Sequence, residues 1–126
     1  MGKLFLAGIG GFIGSAARYG VAGYLQLWSK SEFPFGTLAV NFIGCLAIGF
    51  LAQLVESRGM FTAETRTLIF AGLLGGFTTF SAFGNETINL WRAGANLFAA
   101  ANVAAHLLLC LGAVWLSRIL AVQIWG

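Results

Sequence analysis

Four apolar stretches, at residues 4–28, 36–54, 68–91 and 97–116, take up most of a 126-residue chain. Each is close to or above the roughly 20 residues that a helix needs to cross a hydrocarbon layer about 30 Å thick. Water is absent from that layer, so a segment that enters it must satisfy its own backbone N–H and C=O groups, which a helix does. A content of 59% hydrophobic and only 9% charged residues excludes a soluble domain of this size. With one proline, no low-complexity tract and no long polar loop, residues 1–126 read as a single four-span transmembrane domain.

The ends of the spans are marked by residue type. Tyr24 and Trp28 suit the aromatic belt at a membrane surface, and the polar residues from Ser29 to Glu32 with Pro34 close the first span. Glu56, Ser57, Arg58 and Gly59 end the second, Glu64 and Arg66 precede the third, and Arg118 and Trp125 follow the fourth. Lys3, an apolar run and Ser15-Ala16-Ala17 have some look of a signal peptide, but the apolar pattern continues from Val21 to Trp28, as a span does.

An even number of spans puts both termini on one face. Lys3, Arg58, Arg66 and Arg118 then lie on that face, Lys30 and Arg92 on the other, and Arg18 on either. So weak a bias leads to the expectation that the chain inserts in both orientations and pairs as an antiparallel dimer. The seven basic residues are scattered, which gives nucleic-acid binding no support. Cys45 and Cys110 lie within apolar segments and are expected to be small packing residues. Gly10 and Gly14, Ala16 and Gly20, and Gly72 and Gly76 have the four-residue spacing that lets membrane helices approach closely.

Polar side chains inside spans are costly, about 2.5 to 3.5 kcal/mol for a charge at the helix centre, and so are candidates for function. Thr37, Asn41 and Cys45 share one face of the second span, and Asn102, His106 and Cys110 share one face of the fourth. Asn41 can donate to an anion or form an interhelical hydrogen bond; both readings stand. The fourth-span stripe either lines a water-filled track or packs, and a lone histidine builds no metal site. Arg18 lies deep in the first span and reaches either the interface or a carboxylate on a neighbour, Glu86 being the only acid inside a span.

Residues 75–83 read GGFTTFSAF in the middle of the third span, whose second half is much more polar than its first. Gly75 and Gly76 weaken a helix, while Thr78, Thr79 and Ser81 can bond freed backbone groups, so the third helix is expected to break at its centre. A break exposes carbonyls at one half-helix end, which suit Na⁺, and N–H groups at the next, which suit an anion. Phe80 and Phe83 fall on one face of the second half, where ring edges carry the positive end of the aromatic quadrupole.

GGFIGSAARY at 10–19, GTLAVNFIG at 36–44 and GGFTTFSAF at 75–83, taken together in this order and spacing, resemble the Fluc (CrcB-like) family of fluoride channels. The resemblance implies a bacterial inner-membrane protein, multi-pass, assembled as an antiparallel dual-topology homodimer with two pores that pass fluoride down its gradient. It assigns Asn41 to the pore, Phe80 and Phe83 to an aromatic box, and the Gly75 and Thr78 carbonyls to a structural Na⁺ at the dimer centre. Asn102 and His106 occupy the fourth-span polar track, Thr79 and Ser81 supply hydroxyls near the box, and Arg18 and Glu86 are vestibule or structural residues. Ala82 departs from the Ser or Thr common at its place, so no hydroxyl is expected there.

The alternative function is a small dual-topology proton-coupled multidrug exporter, which needs a membrane-embedded carboxylate. The first span offers Arg18 and no acid, and Glu86 is the sole candidate elsewhere. No paired acids, metal cluster or nucleophile with an adjacent base points to an enzyme.

Overall fold

The computed structural model describes residues 1–126, and every element in it is a helix. Helix α1 spans Gly2–Ser29 and α2 spans Phe35–Arg58. The third membrane segment, Ala63–Arg92, divides into α3 (residues 63–77) and α4 (Phe80–Arg92), and α5 runs over Asn96–Trp125. All four segments are long and apolar enough to cross a membrane, and each extends past its apolar stretch because polar residues at the ends stay helical.

The turns are built by named caps. Lys30 closes α1 in the left-handed region, and Gln26 organises the loop after it: its Nε2 donates to the carbonyls of Ser31 (2.7 Å) and Phe33 (3.0 Å), and its Oε1 accepts the Gly36 N–H (3.1 Å). One amide thus satisfies both the loop and the first turn of α2. Gly59, at φ 61°, ends α2, and Thr62 caps α3 by accepting the Thr65 N–H.

Glycine sets how close the helices come. Helix α1 packs along α3, and α2 packs along the last half of α5. A Cβ on Gly10 would lie 2.9 Å from the Gly72 Cα, one on Gly72 would lie 2.9 Å from the Gly10 Cα, and one on Gly76 would lie 2.7 Å from the Gly11 carbonyl. The α1–α3 seam is therefore backbone against backbone, the contact that small residues permit in lipid. Gly49 does the same for α2 against Val114 and Ser117. The Ala16–Gly20 pair takes no part in packing within the chain, since nothing lies within 4 Å of a Cβ at Gly20.

Only 21 of 126 residues are buried, so most apolar side chains point outward, to lipid or to another chain. The polar exceptions are internal: Thr37, Asn41, Asn102, His106 and Ser117 are all buried.

The break in the third segment falls within residues 75–83, as expected, and is confined to Thr78 and Thr79 rather than to the glycine pair. Gly75 keeps helical dihedrals (φ −62°, ψ −36°), whereas Thr78 (φ −89°, ψ 159°) and Thr79 (φ −151°, ψ 118°) are extended. In hydrocarbon a helix opens where replacement partners exist for the freed groups, not simply where the chain is most flexible. Asn41 supplies those partners at Thr79, while Gly76 serves the seam with α1. Two further departures carry no obvious sequence signal: residues Thr67–Leu74 and His106–Cys110 adopt the wider π-helical turn.

Candidate functional site

Asn41 holds the break together. Its Oδ1 accepts the Thr79 N–H at 2.8 Å and its Nδ2 donates to the Thr79 carbonyl at 3.0 Å, so one side chain pairs with both polar groups of an extended residue. The same Nδ2 lies 3.1 Å from His106 Nε2 on α5. The Thr79 N–H is the donor that an unbroken helix would direct at the Gly75 carbonyl, and it goes to Asn41 instead. Thr79 also caps α4, its Oγ1 accepting the Ala82 N–H at 3.2 Å, and Thr78 Oγ1 donates back to the Leu74 carbonyl.

The other end of the broken helix is held from α1. Arg18 Nε donates to the Gly76 carbonyl at 3.0 Å, with Ser15 Oγ at 3.5 Å from the same oxygen. A cation at the C-terminal end of α3 faces the negative end of its dipole. The two destinations open at the sequence level, the interface and Glu86, thus give way to a third, a freed helix carbonyl. Glu86 is not ion-paired: its Oε1 accepts from Thr37 Oγ1 at 2.8 Å and its buried Oε2 has no partner. The one ion pair in the chain, Arg118 with Glu56 at 2.8 Å, lies far from the break.

Two grooves meet at Thr79. One, of about 360 Å³, is walled by Asn41, Gly44, Cys45, Gly75, Thr78, Thr79, Phe80, Phe83, His106 and Cys110, together with apolar residues. The second, about 790 Å³, is lined by Arg18, Gln26, Glu32, Thr37, Thr79, Ala82 and Glu86 among others. Charged residues line only the second; the first contains none. Phe80 and Phe83 stand with ring centroids 5.4 Å apart and planes inclined at 55°, and Phe83 packs on the His106 ring at 4.3 Å.

Residues 5–118 match the family described as CrcB-like protein, Camphor Resistance (CrcB). The chain belongs to the CrcB family. Among its relatives is a protein of Methylobacillus flagellatus named fluoride-specific ion channel FluC, 45% identical over 117 residues, covering 92% of this chain and 91% of that one. A protein of the same name from Parabacteroides distasonis is 47% identical over 122 residues, covering 97% and 94%. Fluoride-specific ion channel FluC 1 of Methanosarcina acetivorans is 40% identical over 124 residues, covering 98% and 94%.

In this CrcB-family chain the fold gathers Asn41, Thr78, Thr79, Phe80, Phe83 and His106 around one groove. Ser81 is exposed on the first turn of α4, its Oγ 3.3 Å from that of Thr79. Asn102 is fully buried behind the groove, where its Nδ2 donates to Thr87 Oγ1 at 2.9 Å and Thr87 in turn donates to the Phe83 carbonyl at 2.7 Å. Sequence reading missed Thr87. A threonine four residues after Phe83 on a polar half-helix is the signal available for it. No three His, Cys, Asp or Glu side chains converge in this CrcB-family member.

Proposed function

We propose that the chain is a passive fluoride-selective channel of the bacterial inner membrane, letting fluoride leave the cytoplasm and so conferring fluoride resistance. The reading rests above all on identity of 40–47% over nearly the whole chain to proteins named fluoride-specific channels. The groove at the helix break supports it. Fluoride is small and strongly hydrated, and a pore that strips its water must offer replacement donors without gripping it. The hydroxyls of Thr79 and Ser81 and the edges of Phe80 and Phe83 form that set, while Asn41, whose two N–H groups go to the Thr79 carbonyl and to His106, fixes the Thr79 backbone from the pore side, with His106 and Asn102 behind it on the fourth span. No ammonium or guanidinium lines the groove, which favours release.

The working unit is an antiparallel, dual-topology homodimer with two pores. Phe80 is 82% exposed and Gly75 is exposed in a single chain, so the groove has an open side that lipid cannot make polar. The break also leaves oxygen donors on that side. The Gly75 carbonyl has lost its helical partner, and no backbone N–H donates to the Thr78 carbonyl. Hard oxygen donors of this kind fit Na⁺, and two from each of two chains would hold it at the dimer centre. When bound, the ion supplies positive charge that offsets converging carbonyl dipoles. Arg18 and Glu86 border the wider groove as a vestibule.

Purified protein in liposomes provides the test, with fluoride efflux followed with and without a proton gradient and chloride as control. Rapid fluoride efflux that needs no proton gradient is the expected result; no flux, or flux that requires protons, overturns the channel reading. Reporter fusions at the C-terminus should show both orientations, and a single orientation removes dual topology.

A further inference from the structure

The hydrogen bonds around His106 leave only one arrangement of protons. His106 Nδ1 lies 3.0 Å from the Asn102 carbonyl, which can only accept, so Nδ1 carries a hydrogen. The Thr79 N–H can only donate, so the Asn41 atom 2.8 Å from it is Oδ1, and the atom facing His106 Nε2 is Nδ2, a donor. Nε2 must therefore be bare and accepting. A hydrogen on Nε2 would point at the Asn41 NH₂, and flipping the amide to relieve that would set NH₂ against the Thr79 N–H.

From this we infer that His106 is a positioning residue for the ion path: as the neutral Nδ1–H tautomer, it accepts one N–H of Asn41 and so fixes the amide that spans the break at Thr79. The chain of bonds runs in one direction, from Asn41 Nδ2 to His106 Nε2 and from His106 Nδ1 to the Asn102 carbonyl. Phe83 packs against the imidazole, which limits its rotation. In this role His106 has no N–H left for an anion and acts through Asn41. Its effect is to keep the Thr79 backbone, where the two grooves meet, in its extended form.

The flux part of the test rests on the channel reading above, while the tautomer part does not. The chain has one histidine, so ¹⁵N-histidine labelling gives an unambiguous NMR signal. The expected spectrum has a protonated Nδ1 and a bare Nε2; the opposite tautomer overturns the inference. In liposomes, His106→Phe, which keeps ring volume but offers no acceptor, should lower fluoride flux roughly tenfold. His106→Gln, whose Oε1 reaches the place of Nε2, should restore most of it. In an Asn41→Ala background, His106→Phe should add little further loss. Wild-type flux in His106→Phe, equal loss in the Gln variant, or losses that multiply in the double variant each overturn the inference. Should His106→Phe fail to fold, the wild-type tautomer decides. A wild-type protein that passes no fluoride removes the channel reading, and the tautomer then decides the structural role of His106.

Discussion

Adding one methyl group at adjacent glycines separates the two surfaces that meet at the break. At Gly76 the new Cβ would lie 2.7 Å from the Gly11 carbonyl, so α1 and α3 must move apart by roughly 0.7 Å to reach ordinary contact. Overpacking of this kind costs about 1–3 kcal/mol, against a helix-propensity gain of about 1 kcal/mol. Gly76→Ala should therefore lower the melting temperature of the single chain in detergent. At Gly75 the nearest atom to the Cβ is the Phe70 carbonyl at 3.4 Å, an ordinary contact, so the same change leaves the single chain intact and slightly favours its helix. If a second copy presses on Gly75 and Thr78, however, that methyl lies in the interface, and the dimer dissociation constant rises about tenfold for each 1.4 kcal/mol. Single-molecule photobleaching in bilayers reads the monomer–dimer equilibrium, and thermal scanning reads the chain. Gly75→Ala protein that dimerises like the parent would show that no second copy packs at the break.

Other substitutions and conditions test the remaining elements. Asn41→Asp keeps an acceptor for the Thr79 N–H but loses both donations and sets a carboxylate toward the Thr79 carbonyl; fluoride flux should fall at least tenfold, and near-normal efflux would refute the role given to the amide. Phe80→Ile and Phe83→Ile should suppress fluoride efflux while the protein still elutes as an intact dimer, and unchanged efflux in both would remove the aromatic pair from the ion path. Arg118→Ala breaks a partly exposed, two-pronged ion pair far from the groove and should lower the melting temperature only slightly and leave flux unchanged; a clear loss of flux would show that this pair bears on the ion path. Replacing Na⁺ by a large organic cation should weaken the dimer, as measured by its dissociation constant, and an unchanged constant would count against the carbonyl site.

Much of the architecture follows from patterns that local physics enforces. Apolar runs of membrane length leave helices as the available solution, so the four segments were legible from residues 4–28, 36–54, 68–91 and 97–116. Gly10, Gly14, Gly72 and Gly76 were legible as packing glycines because only a missing side chain allows backbones that close. The break was legible to the segment 75–83 but not to the residue. Gly75 and Gly76 are the weaker helix formers, but the chain opens at Thr79 because Asn41, 38 residues away, bonds both the N–H and the carbonyl that Thr79 would otherwise place in the helix.

By itself the sequence determined the class of fold, the interruption of the third span and which polar residues had to be accounted for. Apolar length, glycine spacing and the cost of a buried polar group are all properties read along one chain. Tertiary structure alone decided that Arg18 serves the Gly76 carbonyl rather than Glu86, that Glu86 takes its hydrogen bond from Thr37, and that His106 faces Asn41 with an acceptor. A hydrogen-bond partner is a matter of distance and direction between helices, and residues such as Asn41 and His106, 65 positions apart, acquire both only once the helices have packed.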